Sequence, residues 1–233
     1  MAEMVLTTIN GQYALILPKH RADRPEWHRP EGWEKKRLES MHKNLTNLDL
    51  MFYVGAEEGD MVALCSMWGA KMVLFEPNER VWPNIKAIWE ANEVSLGNPP
   101  LCYVGFASNK TTSKDIFTGF PPCADGEIIS DHGFKELHEP GDINQIRIDD
   151  IPFPPTAISL DVEGSEWQVL RGAEQTLRQY HPKIWLSLHP EFMFRIYGEY
   201  QFDLRKWIKD LGYKETLLAY EHEVHLYYEH NKN

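Results

Sequence analysis

The run Met51-Phe-Tyr-Val-Gly-Ala-Glu-Glu-Gly-Asp60 carries an apolar stretch into a turn with glycines at 55 and 59. A second apolar stretch, Val73-Leu-Phe75, ends in Glu76, about 20 residues past the first glycine. This is the layout of a nucleoside-binding βαβ unit: the glycines let a ligand approach the backbone, and the acid accepts hydrogen bonds from a ribose. The turn lacks the third glycine of the dinucleotide fingerprint and the Lys-Ser/Thr of a P-loop. A ligand with a ribose and an amino-acid end, S-adenosylmethionine, suits it better than a pyrophosphate. Further along, Asp161, Glu163 and Glu166 cluster where a buried strand ends, and His189 follows the next strand. Ionised carboxylates are seldom buried without partners. The cluster therefore either occupies the positive end of a helix or does chemistry. In the second case Asp161, Glu163 and His189 orient and deprotonate a hydroxyl, or hold a metal ion.

These residues need a scaffold. Asn10-Gly11 signals a hairpin within residues 4–18, residues 19–32 read as a loop, and 33–45 as a helix. Strands are expected at 48–54, 72–75, 101–106, 157–162 and 183–188, with helices at 60–68, 81–92, 165–179 and 202–211 between or after them. Ser165 stands where a helix N-cap would, and 213–220 with 223–228 read as a closing antiparallel pair. This alternation predicts an α/β fold: a mostly parallel sheet with one antiparallel strand and helices on both faces. Ligands in such folds bind beyond the carboxyl ends of the strands, which selects the Gly55 turn, Glu76, Phe106, Asp161–Glu163 and His189. The chain divides on this reading into an N-terminal hairpin-and-helix extension, 1–45, capping the acceptor pocket, and a main domain, 46–233. The long polar stretch 108–155 in the main domain reads as an insertion or lid. Trp27, Trp33, Phe117 and Phe120 read as loop packing rather than stacking platforms, and His20, His28, His222 and His230 as surface residues.

The 233 residues carry a net charge of −11 and 42% hydrophobic residues, enough for a sizeable core and without the basic footprint of a bare nucleic-acid binder. The three cysteines form no paired spacing, and no apolar run suggests a membrane span. A cytoplasmic protein acting on a small-molecule or glycan acceptor is expected, with a homodimer allowed by its size.

Four blocks resemble the FkbM-type S-adenosylmethionine-dependent methyltransferases: Tyr53-Val-Gly-Ala-Glu-Glu-Gly59, Phe75-Glu-Pro-Asn78, Ile148-Asp-Asp150 and Ile158-Ser-Leu-Asp-Val-Glu-Gly-Ser-Glu166. The last continues through Val169-Leu-Arg-Gly-Ala173, and the resemblance spans residues 48–228. It implies a Rossmann-like, seven-stranded sheet and O-methylation of a sugar or sugar-bearing product. By position, Gly55, Ala56 and Gly59 would pass under the methionine part of the cofactor. Glu76, followed by Pro77, would hold the ribose, Phe106 and Ala107 would flank the adenine, and Asp161 would lie between methionine end and acceptor. Some sugar methyltransferases resembling the family use a divalent cation such as magnesium, for which Asp161, Glu163 and His189 are the candidate ligands. One departure stands out: the family has an acid at the position of Tyr53 and often Asn at that of Glu57. Either Glu57, Glu58 or Asp60 takes over that acid's part, or cofactor affinity is weakened. The rival readings are a different acceptor class (protein, peptide or modified nucleic acid) and a non-catalytic module that binds the cofactor.

Overall fold

The computed structural model describes residues 2–92, 98–130, 142–221 and 223–231. Part of the expected lid, 131–141, and His222 lie outside the described residues. The chain opens with the hairpin β1 (Met4–Ile9) and β2 (Tyr13–Pro18), whose turn holds Asn10 and Gly11 at positive φ. The segment expected to be a loop contains a short helix, α1 (Lys19–Ala22), and a 3-10 turn at Pro25–His28. Then come α2 (Lys35–Asn44), β3 (Leu50–Val54), α3 (Asp60–Met67), β4 (Lys71–Glu76), α4 (Trp82–Ala91), β5 (Leu101–Val104) and β6 (Phe106–Ala107). Two short strands follow, β7 (Phe117–Thr118) and β8 (Gln145–Ile146), and then β9 (Ala157–Leu160). The chain closes with α5 (Glu166–Arg171), α6 (Glu174–Tyr180), β10 (Lys183–Leu188), α7 (Pro190–Tyr197), α8 (Gln201–Asp210), β11 (Tyr213–Tyr220) and β12 (Val224–His230).

The central sheet runs β11-β12-β10-β9-β3-β4-β5-β7. Strands β10, β9, β3, β4 and β5 are mutually parallel, and β12 is antiparallel to both neighbours. The seven expected strands are present, and the two-residue β7 adds an antiparallel eighth at the edge. Alternation along each strand sorts the side chains to two cores. Met51, Tyr53, Met72, Leu74 and Trp185 pack with the hairpin, α2, α3 and α4. Phe52, Val54, Val73, Phe75, Ile158, Leu160 and Leu186 pack on the other face with α5, α6 and α8. The N-terminal hairpin is thus part of the first core.

Two expectations change. The helix read as 165–179 breaks at Gly172-Ala173, and Gly172 packs so closely on the Ser108 backbone that an added Cβ would stand 1.9 Å from its carbonyl oxygen. The Ser165 hydroxyl makes no cap bond and instead meets Tyr197 Oη at 3.2 Å. The helix α7, not foreseen, starts with Pro190 at its first position, where a missing N–H costs nothing. Among the described residues no helix is long and apolar enough to cross a membrane.

Gly55 fixes how closely β3 and β9 approach at their ends. Its φ is +86°, and an added Cβ would lie 1.9 Å from the Asp161 carbonyl oxygen. Gly11, at φ +65°, has nothing within 4 Å of that point. Gly11→Ala should cost only the left-handed strain of about 1–2 kcal/mol. Gly55→Ala should add the overlap penalty of typically about 1–3 kcal/mol on top. Urea unfolding of the two variants checks the difference.

Candidate active site

Five parallel strands end on one edge of the sheet, and the residues after them line a cleft of about 730 Å³. Tyr53, Gly55, Ala56, Glu57, Glu76, Pro77, Phe106, Ala107, Asp161, Glu163 and His189 all line it. Gly59, expected beneath the cofactor, does not. Its φ of +92° and a would-be Cβ 3.1 Å from Ile85 Cα assign it to close packing of α3 on α4. Residues not foreseen for the site come from both ends of the chain: Arg24, Glu34 and Arg37 from the N-terminal segment, and Glu223 just before β12. Trp27 and Trp33 line the cleft as well, and Trp27 is otherwise buried, with its indole N–H donating to the Arg21 carbonyl. Phe117 and Phe120 pack against the core, as loop aromatics are expected to.

Glu76 sits at the end of β4, buried, its two carboxyl oxygens accepting from the backbone N–H of Glu57 at 3.0 Å and of Asn78 at 2.8 Å. Burial pushes its pKa up to about 7, against the two amide bonds that favour the charged form. The glycine turn and the acid are therefore one unit, since the turn's own amide holds the carboxylate in place.

Tyr53 is buried, and its hydroxyl accepts from Arg37 Nη2 at 3.4 Å. Burial drives the phenol well above its usual value, so it carries no charge. Arg37 Nη2 also donates to Ser159 Oγ at 2.9 Å, and Arg37 Nη1 to Asp161 Oδ2 at 2.9 Å and to Glu34. The acids expected to replace the one missing at Tyr53 meet a second buried cation, and Glu57 and Asp60 line the cleft. Arg21, buried in α1, pairs with Asp60, with Glu58 at 3.2 Å and with Glu57 at 3.3 Å. Glu58 also accepts from Asn84 at 2.7 Å and meets His20 at 2.8 Å, so His20 is not the surface residue expected from sequence.

The His189 ring is held at both nitrogens. Nδ1 lies 2.7 Å from Oε1 of the fully buried Glu166, which also accepts from the Gly164 N–H. Nε2 faces Glu223 at 3.4 Å, Glu163 at 3.5 Å and Asp161 at 3.7 Å. Burial opposes charging of the ring, but the Glu166 bond and the Asp161 charge outweigh it and raise the pKa to about 10. Burial and the neighbouring Asp161 charge raise Glu223 to about 9, with His189 opposing. These neighbours favour the charged form of His189. The metal-ligand set also differs from expectation: among the described residues the donor atoms that converge, within 4.8 Å of one another, belong to Asp161, His189 and Glu223, not Glu163.

Comparison with known proteins gives the family and the fold. The methyltransferase FkbM domain model matches residues 54–215. The crystal structure of an FkbM methyltransferase from Methylobacillus flagellatus KT superposes with a TM-score of 0.56 at 20% identity. That match covers 79% of this chain and 44% of the other, so this chain spans less than half of that protein's length. Magnesium protoporphyrin IX methyltransferase from Synechocystis PCC 6803, solved with bound S-adenosylmethionine, superposes at 0.50 with 13% identity, covering 85% of this chain and 80% of that one. At these identities the likeness shows the fold. No curated protein matches the sequence.

The raised His189 pKa makes a stability prediction. Its stabilisation is fully present below the ordinary value of 6.5 and is lost as pH rises through about 10. The raised Glu223 acts in the same direction, because its ionisation beside Asp161 is unfavourable. Unfolding free energy should therefore fall across that window, and His189→Gln should flatten the fall. Denaturant titrations at stepped pH measure both slopes; equal slopes would show that His189 is uncharged in the native state.

Proposed function

The chain belongs to the methyltransferase FkbM domain family, and from that premise we propose that it is an S-adenosylmethionine-dependent O-methyltransferase acting on a hydroxyl of a sugar or glycosylated acceptor. The observation that carries the reading is Glu76: a buried acid, oriented by the amide of the glycine turn, in the same cleft as Asp161 and His189. An acid so placed suits the two hydroxyls of a ribose. Gly55 allows close backbone approach, and Phe106 and Ala107 offer the adenine its walls.

S-adenosylmethionine, when bound, supplies a methyl group already activated on a sulfonium. The protein's work is then alignment and proton handling. Glu166 occupies His189 Nδ1, which leaves Nε2 as the donor that orients the acceptor oxygen. Asp161, whose Oδ1 lies on the Nε2 side, takes the hydroxyl proton during attack. The net charge of −11 supports an uncharged or glycan acceptor over a bare polynucleotide.

A second reading has its own observation. The convergence of Asp161, His189 and Glu223 suits one divalent cation, which would require His189 to release its proton and would lower the acceptor pKa. Methyl transfer that needs magnesium and fails in Glu223→Gln would favour it; transfer unaffected by a chelator would dismiss it.

Calorimetric titration tests the main reading. Wild type should bind S-adenosylmethionine, and Glu76→Gln should weaken binding about tenfold or more, the worth of a charged hydrogen bond. Affinity should also fall as pH is lowered through about 7, where Glu76 takes up its proton. Binding insensitive to both changes would remove Glu76 from the ribose site. An acceptor screen among sugars, with and without magnesium, then tests the transfer.

A further inference from the structure

The wall of the cleft beside Tyr53 has an unbalanced charge. Arg37 Nη1 is shared by two carboxylates, Glu34 and Asp161, while its other terminal nitrogen meets only the neutral Tyr53 and Ser159. One guanidinium thus serves two acids, and the His189 ring 3.7 Å from Asp161 is already bonded to Glu166, so a negative charge is left over in a wall where both acids line the cleft. Buried or half-buried carboxylates do not stay unbalanced at low cost, so the wall favours a cationic group.

Three further observations concern Glu34 itself. It adopts φ +45°, ψ +32°, a left-handed conformation uncommon for a residue that is not glycine. Its side chain is 6% exposed. It sits at the N-cap position of α2, yet it caps no helix amide and instead lines the cleft. Strained backbone of this kind persists where the surroundings demand it, often at ligand sites. Arg37, 2% exposed, also lines the cleft and keeps one buried donor, Nε, without an acceptor. Opposite charges three residues apart, with a free donor beside the cation, form a complement to a zwitterion.

We propose that Glu34, held by Arg37, joins Asp161 in receiving the α-ammonium of the cofactor's amino-acid end, so that α2 supplies the acid that Tyr53 cannot. The inference rests on the cofactor reading above. Its consequence is selectivity for the amino-acid end. S-adenosylmethionine carries an ammonium and a sulfonium against one carboxylate. Its demethylated product, S-adenosylhomocysteine, has lost the sulfonium and is neutral overall. Methylthioadenosine retains the adenosine but has no amino-acid end. The α-ammonium that Glu34 would receive is present on the first two and absent from the third.

Calorimetry with these three ligands on wild type, Glu34→Gln and Glu34→Asp tests it, with thermal melts run alongside. In Glu34→Gln, the affinity for S-adenosylmethionine should drop about tenfold, as expected for a charge-assisted hydrogen bond. The product, which keeps the same α-ammonium, should lose about as much and methylthioadenosine nothing, while Glu34→Asp should keep most of the wild-type affinity. A loosened fold would lower all three affinities together, and that result, or no change at all, overturns the assignment of Glu34. Wild type that binds methylthioadenosine but distinguishes none of the three also overturns it, while leaving the adenosine site standing. Wild type that binds none of them overturns the cofactor reading and this inference with it.

Discussion

A guanidinium taken out of water must be surrounded by acceptors, and the position of Arg37 makes that requirement organise the molecule. Its partners come from three places: Glu34 at the start of its own helix, Tyr53 on β3, and Ser159 with Asp161 at the end of β9. Removing any one of them leaves a buried charge short of a partner, which is far costlier than losing a surface ion pair. The N-terminal helix is thereby tied to the two central strands at the point where the cleft opens. Arg21, on the preceding helix α1, makes a parallel connection, binding the acids of the glycine turn.

The consequence is that the cleft has two kinds of wall. One is built by the sheet: Gly55, Glu76, Phe106, Asp161 and His189 stand at strand ends because parallel strands with helical crossovers present their carboxyl ends on one edge. The other is built by the N-terminal segment and is held on by buried charge. The sheet wall carries features that a nucleoside requires, a close backbone approach and an oriented acid. The N-terminal wall carries the buried charged side chains Glu34 and Arg37. Around His189 the same economy recurs: Glu166 fixes one nitrogen so that the other points at three carboxyl groups.

Much of this was legible along the chain. Glu76, Asp161 and His189 could be located because each ends an apolar run, and a run's end in a parallel sheet is a place in space. The hairpin at Asn10-Gly11 and the β10 bounds followed from local turn chemistry and composition. Other features left no local mark. Arg37 and Glu34 lie in an ordinary charged helical stretch, where such residues usually face solvent, and Glu223 follows a polar turn. Gly172 reads as a tolerable glycine inside a helix until the Ser108 carbonyl appears against it. Pro190 reads as a stop after a strand, although proline equally begins a helix.

The sequence by itself determined the order of the seven main strands, the alternation that makes a parallel sheet, and the strand-end residues that line one side of the cleft. These depend on periodicity and on turn residues, which act over a few positions. Only the tertiary structure decided which acids pair with which cations. Arg21 meets Glu57, Glu58 and Asp60, Arg37 meets Asp161, and Glu223 meets His189 across separations that no local pattern encodes. A charge interacts with whatever the fold brings within a few ångströms, and in a buried site that neighbourhood, not the residue type, sets its protonation and its partner.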